Sequence, residues 1–358
     1  MADKKILISG NEAIGEGAIQ AGCAFYAGYP ITPQNELTAY MAKRMPEEGR
    51  PFIQAESELA AINMVFGAAA AGARTMTSSS SPGISLKQEG ISYIAGAELP
   101  AVIVNVMRAG PGLGNIWPAQ SDYFQATRSG GHGDYHLLVL APASVQEAYD
   151  LTRLAFELAD QYRNPAMILG DGMLGQMMEP LEMQKLKIKK HDYKKPWALT
   201  GCKGRPANVV KSFYLREGDL ERFNLKLQKK YQSISEKEQR YEELFLDDAR
   251  VIIVAYGTMA RFAKSVVRAL RKKGKKIGLI RPISLWPFPK KAFTRYSVPA
   301  TRYAKKSTFL VIEMSYGQMV EDVRLVLNGA QRIEFLGRSG GGIPSEEEMI
   351  KKISQISK

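Results

Sequence analysis

Cysteine is nearly absent: the 358 residues hold two, Cys23 and Cys202, far apart and in no CxxC pair. An iron–sulfur cluster or a structural zinc site needs about four ligands. The chain cannot build either from its cysteines, so any redox centre that serves it is expected on another polypeptide. Both thiols read as reduced and either buried or incidental. Also missing is any run of about eighteen uncharged apolar residues, and the opening MADKKILISG enters a strand-like segment without the layout of a signal peptide. The expectation is a cytoplasmic protein with no membrane partner. Histidine is scarce, three in all. His132 and His136 in GGHGDYH stand four apart, a spacing that binds zinc when both lie on one helix. Three neighbouring glycines argue against a helix there and no further ligand is evident, so no metal site is expected. No internal repeat or low-complexity tract occurs.

What is present is an ordinary globular composition, 45% hydrophobic and 24% charged, long enough for two domains. The formal charge of +13 is unevenly spread: from Gln184 to Arg240 sixteen Lys or Arg face six Asp or Glu. That stretch has the charge of a nucleic-acid or acidic-protein contact, but it carries no RNA-binding signature or aromatic platform. A solvated connector is the plainer reading.

Strand-like and helix-like pieces alternate with short connections, the pattern of a doubly wound parallel sheet. Lys5–Ser9, Ala24–Ala27, Phe52–Ala55, Thr75–Ser78, Ala101–Val106, Leu137–Leu140 and Ala166–Leu169 read as strands. Helices are expected over Glu12–Ala21, about Pro33 to Arg44, the stretch QAESELAAINMVFGAAAAGAR, and Val145–Tyr162 with Ser144 as N-cap. From about Leu186 the apolar rhythm fails. The division expected is therefore residues 1–185, a lysine-rich linker or irregular excursion over 186–248, and a second α/β unit over 249–358. The second unit has strands near Val251–Ala255, Ile277–Ile280, Phe309–Ile312 and Ile333–Leu336, helices near Met259–Lys272 and Gln318–Leu327, and a closing helix with the acidic start PSEEE.

Several motifs bear on chemistry. LGDGM, Leu169 to Met173, resembles the GDG that opens the diphosphate-and-magnesium motif of thiamin diphosphate enzymes, but no Asn follows until Asn208, beyond the lysine-rich break. Asp171 is accordingly read as a turn residue. In RAGPGLGNIWPAQSD the glycines are spaced G-x-G-x-G and lead into IWPAQ, not into a helix, so the match to a dinucleotide fingerprint is weak. Those glycines would let backbone approach a ligand closely, with Arg108 at the carboxyl end of a strand. TSSSSPGIS has no nucleophile elbow, and Ser81–Pro82 reads as a helix start. The prolines of GYPITP, Gly28 to Pro33, fix the direction of Thr32. Glu56 and Glu58 abut an almost uninterrupted small and apolar run, where an unpartnered carboxylate is costly by several kcal/mol.

In this order, GNEAIGEGAIQAG, GYPITPQNE, QAESELAAINMVFGAAAAGAR, TSSSSPGISLKQEG, VNVMRAGPG, RPISLWPFP and VIEMSYGQMVEDVR resemble the alpha subunit of the 2-oxoacid:ferredoxin oxidoreductases over nearly the whole chain. The likeness is nearest to the branched-chain (2-oxoisovalerate) type, with the 2-oxoglutarate type a near relative. It implies a doubly wound domain of the pyrimidine-binding thiamin diphosphate (ThDP) type followed by an α/β domain like the transketolase C-terminal unit. A separate beta subunit would hold the diphosphate and Mg²⁺. Gamma and ferredoxin-like subunits would carry the iron–sulfur clusters, with ferredoxin as acceptor and coenzyme A as co-substrate in branched-chain amino acid catabolism.

By the same resemblance Glu58, not Glu56, hydrogen-bonds N1′ of the aminopyrimidine. The two would point about 200° apart on one helix. Sharing a proton there favours the tautomer whose 4′-nitrogen takes the C2 proton, and an apolar wall helps by raising a carboxyl's proton affinity. Thr32 lies against cofactor and substrate beside Tyr29 and Pro30, and Arg108 meets the 2-oxoacid carboxylate. Two other readings stay open: a 2-oxoglutarate enzyme, which needs a further cation for the distal carboxylate, and, remotely, a basic nucleic-acid-binding or scaffold protein using Gln184–Arg240.

Overall fold

The computed structural model describes residues 5–183, 193–297 and 307–357. Its strands are β1 (Lys5–Ser9), β2 (Phe25–Gly28), β3 (Phe52–Gln54), β4 (Thr75–Ser79), β5 (Val102–Met107), β6 (Leu138–Leu140), β7 (Ala166–Asp171), β8 (Met178–Glu182), β9 (Tyr241–Leu244), β10 (Val251–Val254), β11 (Ile277–Pro282), β12 (Ser284–Trp286), β13 (Thr308–Glu313) and β14 (Arg332–Gly337). Its α-helices are α1 (Gly10–Gln20), α2 (Asn35–Glu47), α3 (Glu58–Ala70), α4 (Ser81–Gly96), α5 (Tyr123–Thr127), α6 (Val145–Tyr162), α7 (Gly172–Gln176), α8 (Asp219–Lys237), α9 (Gly257–Lys272), α10 (Thr294–Ser297), α11 (Met319–Leu327) and α12 (Glu346–Ile356).

A seven-stranded sheet has the order β12-β6-β7-β5-β4-β2-β3, parallel except for β12, which runs antiparallel to β6. A five-stranded sheet, β14-β13-β10-β11-β9, is parallel except at β9. Helices cover both faces of such sheets, so central strands bury both sides and read as continuous apolar runs. Val251–Val254 and Val102–Met107 are buried throughout.

Most expected elements are present within a few residues, and α6 spans the predicted residues with Ser144 accepting from Glu147 N. Two features differ from expectation. β1 does not join the parallel sheet but pairs antiparallel with β8 in a two-stranded ribbon. The stretch 186–248, expected as a linker or irregular excursion, contains the 19-residue α8 and strand β9. Residues 184–192 lie outside the described residues. α8 was hidden because its buried stripe is thin, Leu227, Tyr231 and Ile234, in an otherwise lysine-rich helix. Part of the local positive charge is spent internally, since Lys226 and Lys230 both pair with the mostly buried Glu98, and Lys195 sits 2.8 Å from Asp160.

The two sheets are joined by polar side chains sealed from water. Gln120, 0% exposed, donates from Nε2 to Tyr256 O (3.0 Å) and accepts at Oε1 from Met314 N (3.0 Å), while its own N–H bonds Met314 O. Arg281, 2% exposed, reaches Glu147 across the junction at 2.8 Å. Among the described residues no helix is long and apolar enough to cross a membrane.

Candidate active site

Open α/β sheets bind ligands beyond the carboxyl ends of their strands. Here β2, β3, β4 and β5 end side by side and release the 29–34 loop, the turn into α3, the start of α4, and Arg108.

Glu58 is the first residue of α3, whose N-cap is Ser57, with Ser57 Oγ accepting from Ala60 N at 3.2 Å. The helix dipole favours an anion there, but a residue placed only for the dipole would face water. Glu58 is 5% exposed, and among the described residues its carboxylate makes no hydrogen bond or ion pair. Glu56 is exposed. The two do not diverge around one helix as expected, because Glu56 precedes the cap and only Glu58 is helical.

Close packing of α4 on α3 creates the Glu58 environment. A Cβ built on Gly83 would lie 2.5 Å from Glu58 Oε1 and nearer still to Ser79 Oγ; one on Gly90 would lie 2.6 Å from Ile62 Cγ2. Glu58 and Ile62 are one turn apart on α3, and Gly83 and Gly90 are two turns apart on α4, so two missing side chains let the helices close. Between the glycines on the same face of α4 stands Lys87, 0% exposed, with Nζ 2.5 Å from Thr77 Oγ1 and 3.1 Å from Ser78 O. Burial pulls its pKa down to about 7 against the attraction of Glu58. The sequence reading passed over Lys87. The signal was the spacing Gly83, Lys87, Gly90 in SPGISLKQEG, three positions of one helical face.

Arg108 and Thr32 are brought together. Arg108, 7% exposed, donates from Nη1 to Thr32 O (3.0 Å) and from Nη2 to Leu113 O (3.1 Å), and its buried Nε has no partner among the described residues. Thr32 is half-buried with Oγ1 accepting from Asn35 Nδ2, while Tyr29 and Pro30 lie exposed at the rim. Of the glycines after Arg108, Gly114 serves the loop itself, since a Cβ there would collide with the Ala109 carbonyl, while Gly112 borders open space. Ser81, at the start of α4, donates to Asp122 at 2.6 Å, and its Oγ also bonds the backbone of Arg108. Asn105 Nδ2 joins Asp122 at 2.9 Å, and burial pushes that carboxyl above the usual range. The first turn of α4 thus ties the Glu58 environment to that of Arg108.

Asp171 is more than a turn residue. It is the N-cap of α7, its Oδ1 accepting from Met173 N and Leu174 N at 3.0 and 3.1 Å, and burial raises its pKa. His136 stacks on Trp286 with ring centroids 4.4 Å apart, and His132 meets Tyr93 edge-on.

Comparison with known proteins agrees with this geometry. Residues 16–243 match the family model described as pyruvate flavodoxin/ferredoxin oxidoreductase, thiamine diP-binding, and residues 249–349 match pyruvate:ferredoxin oxidoreductase core domain II. The ketoisovalerate oxidoreductase subunit VorB of Methanothermobacter marburgensis is 50% identical over 98% of this chain and 97% of its own. The 2-oxoglutarate synthase subunit KorA of Archaeoglobus fulgidus is 41% identical over 89% of this chain and 91% of its own. Among solved structures, the 2-oxoglutarate:ferredoxin oxidoreductase from Magnetococcus marinus, with 2-oxoglutarate, coenzyme A and succinyl-CoA bound, superposes with a TM-score of 0.84 at 25% identity. The match covers 98% of this chain, which spans 65% of the length of that one. A split-gene transketolase (TM-score 0.57, 13% identity, 97% of both chains) shares the fold. The chain belongs to the thiamin-diphosphate-binding pyruvate flavodoxin/ferredoxin oxidoreductase family.

Proposed function

We propose that this chain is the subunit of a 2-oxoacid:ferredoxin oxidoreductase that supplies the pyrimidine side of a shared ThDP site and acts on a branched-chain 2-oxoacid, 2-oxoisovalerate. The observation that carries the reading is Glu58, 5% exposed, whose carboxylate finds no donor among the described residues. Such a group is expensive to fold unless something fills its acceptor sites, and a protonated ring nitrogen is a suitable donor.

Thiamin diphosphate, when bound, supplies a nucleophilic carbon that adds to the 2-oxo carbon and takes up the electrons released on loss of CO₂. Glu58 would hold the proton at N1′ of the aminopyrimidine. The apolar wall of α3, with Ala61, Ile62 and Val65 buried, would keep water from competing for that carboxylate. Thr32, Tyr29 and Pro30 would bound the cofactor and substrate on the open side. Arg108 holds Thr32 and Leu113 in place through their carbonyls, and its remaining N–H groups would face the substrate carboxylate. The net change is 2-oxoacid, coenzyme A and two oxidised ferredoxins going to acyl-CoA, CO₂, two reduced ferredoxins and a proton.

The partners follow from what this chain lacks chemically. Asp171, the one acid in its GDG, is committed to capping α7 and is fully buried, so the diphosphate and Mg²⁺ are assigned to a beta subunit. Leu59, Leu86, Leu113, Ile116 and Trp117, all exposed, lie on the elements that hold Glu58 and Arg108; they would face that subunit. Gamma and ferredoxin-like subunits would carry the clusters. In this scheme residues 1–185 form the pyrimidine-side unit and 249–358 the transketolase-like one. The substrate choice is supported by the higher identity to VorB than to KorA.

In the assembled complex, Glu58→Gln should abolish 2-oxoacid-dependent ferredoxin reduction. Near-normal turnover would refute the role of Glu58. Equal or faster turnover of 2-oxoglutarate over 2-oxoisovalerate would overturn the substrate.

A further inference from the structure

The mechanism above uses Arg108 but leaves unexplained the half-buried carboxylate behind it. Arg108 stands one residue beyond the end of β5, so the direction of its guanidinium depends on how its backbone is held as well as on the Thr32 and Leu113 carbonyls. That backbone is held by Ser81, whose Oγ accepts from Arg108 N at 3.0 Å. Behind Ser81 stands Asp122, with Oδ2 2.6 Å from Ser81 Oγ and 2.9 Å from Asn105 Nδ2. Asn105, 0% exposed, closes the circuit by accepting from Ser81 N through Oδ1 at 3.2 Å.

A serine hydroxyl has one proton to give and two positions at which to accept. Two acceptors lie within reach of the Ser81 proton, the Arg108 carbonyl at 3.0 Å and the Asp122 carboxylate at 2.6 Å. The shorter, charged one takes it, which turns the lone pairs of Ser81 toward the Arg108 N–H. The same carboxylate draws the amide nitrogen of Asn105 and leaves the amide oxygen for Ser81 N. Asp122 is not spent on its own helix. An aspartate at an N-cap ordinarily accepts from the helix N–H groups, yet Asp122, the N-cap of α5, makes no such bond.

Asp122 is in turn seated by the second α/β unit, which grips the chain on both sides of it. Ser121 O accepts from Gln318 Nε2 at 2.7 Å, the Tyr123 hydroxyl donates to Asp322 at 2.6 Å, and Phe124 N donates to Gln318 Oε1 at 2.8 Å. We propose that Asp122 is a positioning residue for the substrate arginine: it fixes the backbone of Arg108 through Ser81 and Asn105, and the second unit holds it in place to do so. This rests on the reading of Arg108 as the group that meets the 2-oxoacid carboxylate.

The test uses the assembled complex and Asp122→Asn, which keeps the shape of the side chain and replaces the charge with an amide. The KM for 2-oxoisovalerate should rise about tenfold or more, the worth of a hydrogen bond to a charged group, while kcat falls by a smaller factor and the KM for coenzyme A stays put. Ser81→Ala should do the same, and Ser81→Thr should restore the KM by restoring the hydroxyl. The double variant Ser81→Ala/Asp122→Asn should be no worse than the worse single one, since both act through one hydroxyl. A second readout needs neither substrate nor turnover: hydrogen exchange at the Arg108 amide in the cofactor-free complex should quicken about tenfold in Asp122→Asn and in Ser81→Ala. An unchanged KM for the 2-oxoacid in the folded variants would overturn the proposal. So would an equal rise in the KM for the 2-oxoacid and for coenzyme A, or an Arg108 amide that exchanges no faster. If Asp122→Asn does not assemble, Ser81→Ala beside Ser81→Thr carries the same test. Should Arg108→Met leave the KM for the 2-oxoacid unaltered, the reading of Arg108 falls instead, and the amide exchange still decides whether Asp122 holds that backbone.

Discussion

Gly83→Ala probes the site through one methyl group. The new Cβ would stand 2.5 Å from Glu58 Oε1, where ordinary contact begins at 3.4 Å, so the oxygen must move by about 0.9 Å, the difference of the two. Ser79 Oγ, crowded more closely, must turn away as well. A misplacement of about 1 Å in a catalytic group costs on the order of 10² in rate, which is about 2.7 kcal/mol of activation free energy. Stability should change far less. Alanine in a helix gains up to about 1 kcal/mol over glycine, overpacking costs about 1–3 kcal/mol, and the net loss of about 0–2 kcal/mol leaves a domain of about 5–15 kcal/mol folded. Gly90→Ala is the control: its Cβ meets Ile62 at 2.6 Å, squeezing the same two helices without touching the carboxylate. The assay is steady-state ferredoxin reduction by the assembled complex beside a thermal melt of each variant. Gly83→Ala should lose about a hundredfold in kcat with a small shift in Tm, and Gly90→Ala should lose more Tm than kcat. A Gly83→Ala complex with near-normal kcat would show that Glu58 does not need its present position.

Two further outcomes follow from groups sealed inside the molecule. Gln120→Leu leaves Met314 N without a partner at the junction of the two sheets and takes one of two donors from Tyr256 O, which keeps the Ala260 N–H; one orphaned buried group costs about 1–3 kcal/mol, so denaturant unfolding should show a loss of about 1–3 kcal/mol, and an unchanged midpoint would mean the junction is held elsewhere. Lys87→Met should stabilise the protein in a pH-dependent way. Folded Lys87 releases its proton near pH 7 where the ordinary value is 10.5, so between those values the unfolded chain binds the extra proton and the stability of the unmutated protein climbs with pH. The advantage of the methionine variant in Tm should be largest below about pH 7 and shrink as the pH approaches 10; a constant difference would contradict a depressed lysine.

The sequence made the buried strands of the parallel sheet and the helix α6 legible because such strands are apolar runs and an amphipathic helix repeats every 3.6 residues. It concealed β12. SLW is three residues long, and it joins the first sheet although it lies in the second half of the chain; a strand that short, set by a long-range pairing, has no local period to read. It concealed α8 for the opposite reason, since a long helix with three buried residues looks like a solvated connector. In the site, Glu58 stood out because an acid against an alanine-rich run asks for a reason and the family resemblance pointed to it over Glu56, and the structure places it at the start of α3 with 5% exposure. Lys87 was not, because a lysine in a helix is ordinarily exposed, and only the packing of Gly83 and Gly90 on α3 shows which way its face turns.

That contrast bears on how the acid and the lysine came to share one helix pair. A carboxylate left without donors among the described residues is tolerable only if its charge is answered or its acceptor sites are filled on assembly. Lys87, on the helix packed against α3, leaves those oxygens free, since the two heads form neither an ion pair nor a hydrogen bond. A direct Glu58–Lys87 bridge would satisfy both residues and leave nothing for a ring nitrogen to bond. The separation of the two heads is thus as consequential as their proximity, and it is maintained by the hydroxyl of Thr77 and the carbonyl of Ser78, which hold the ammonium against β4. The strand end, the glycine-spaced face of α4 and the capped start of α3 together leave one nearly buried acid without a donor among the described residues, the condition in which it can receive a proton-bearing ring from outside the chain.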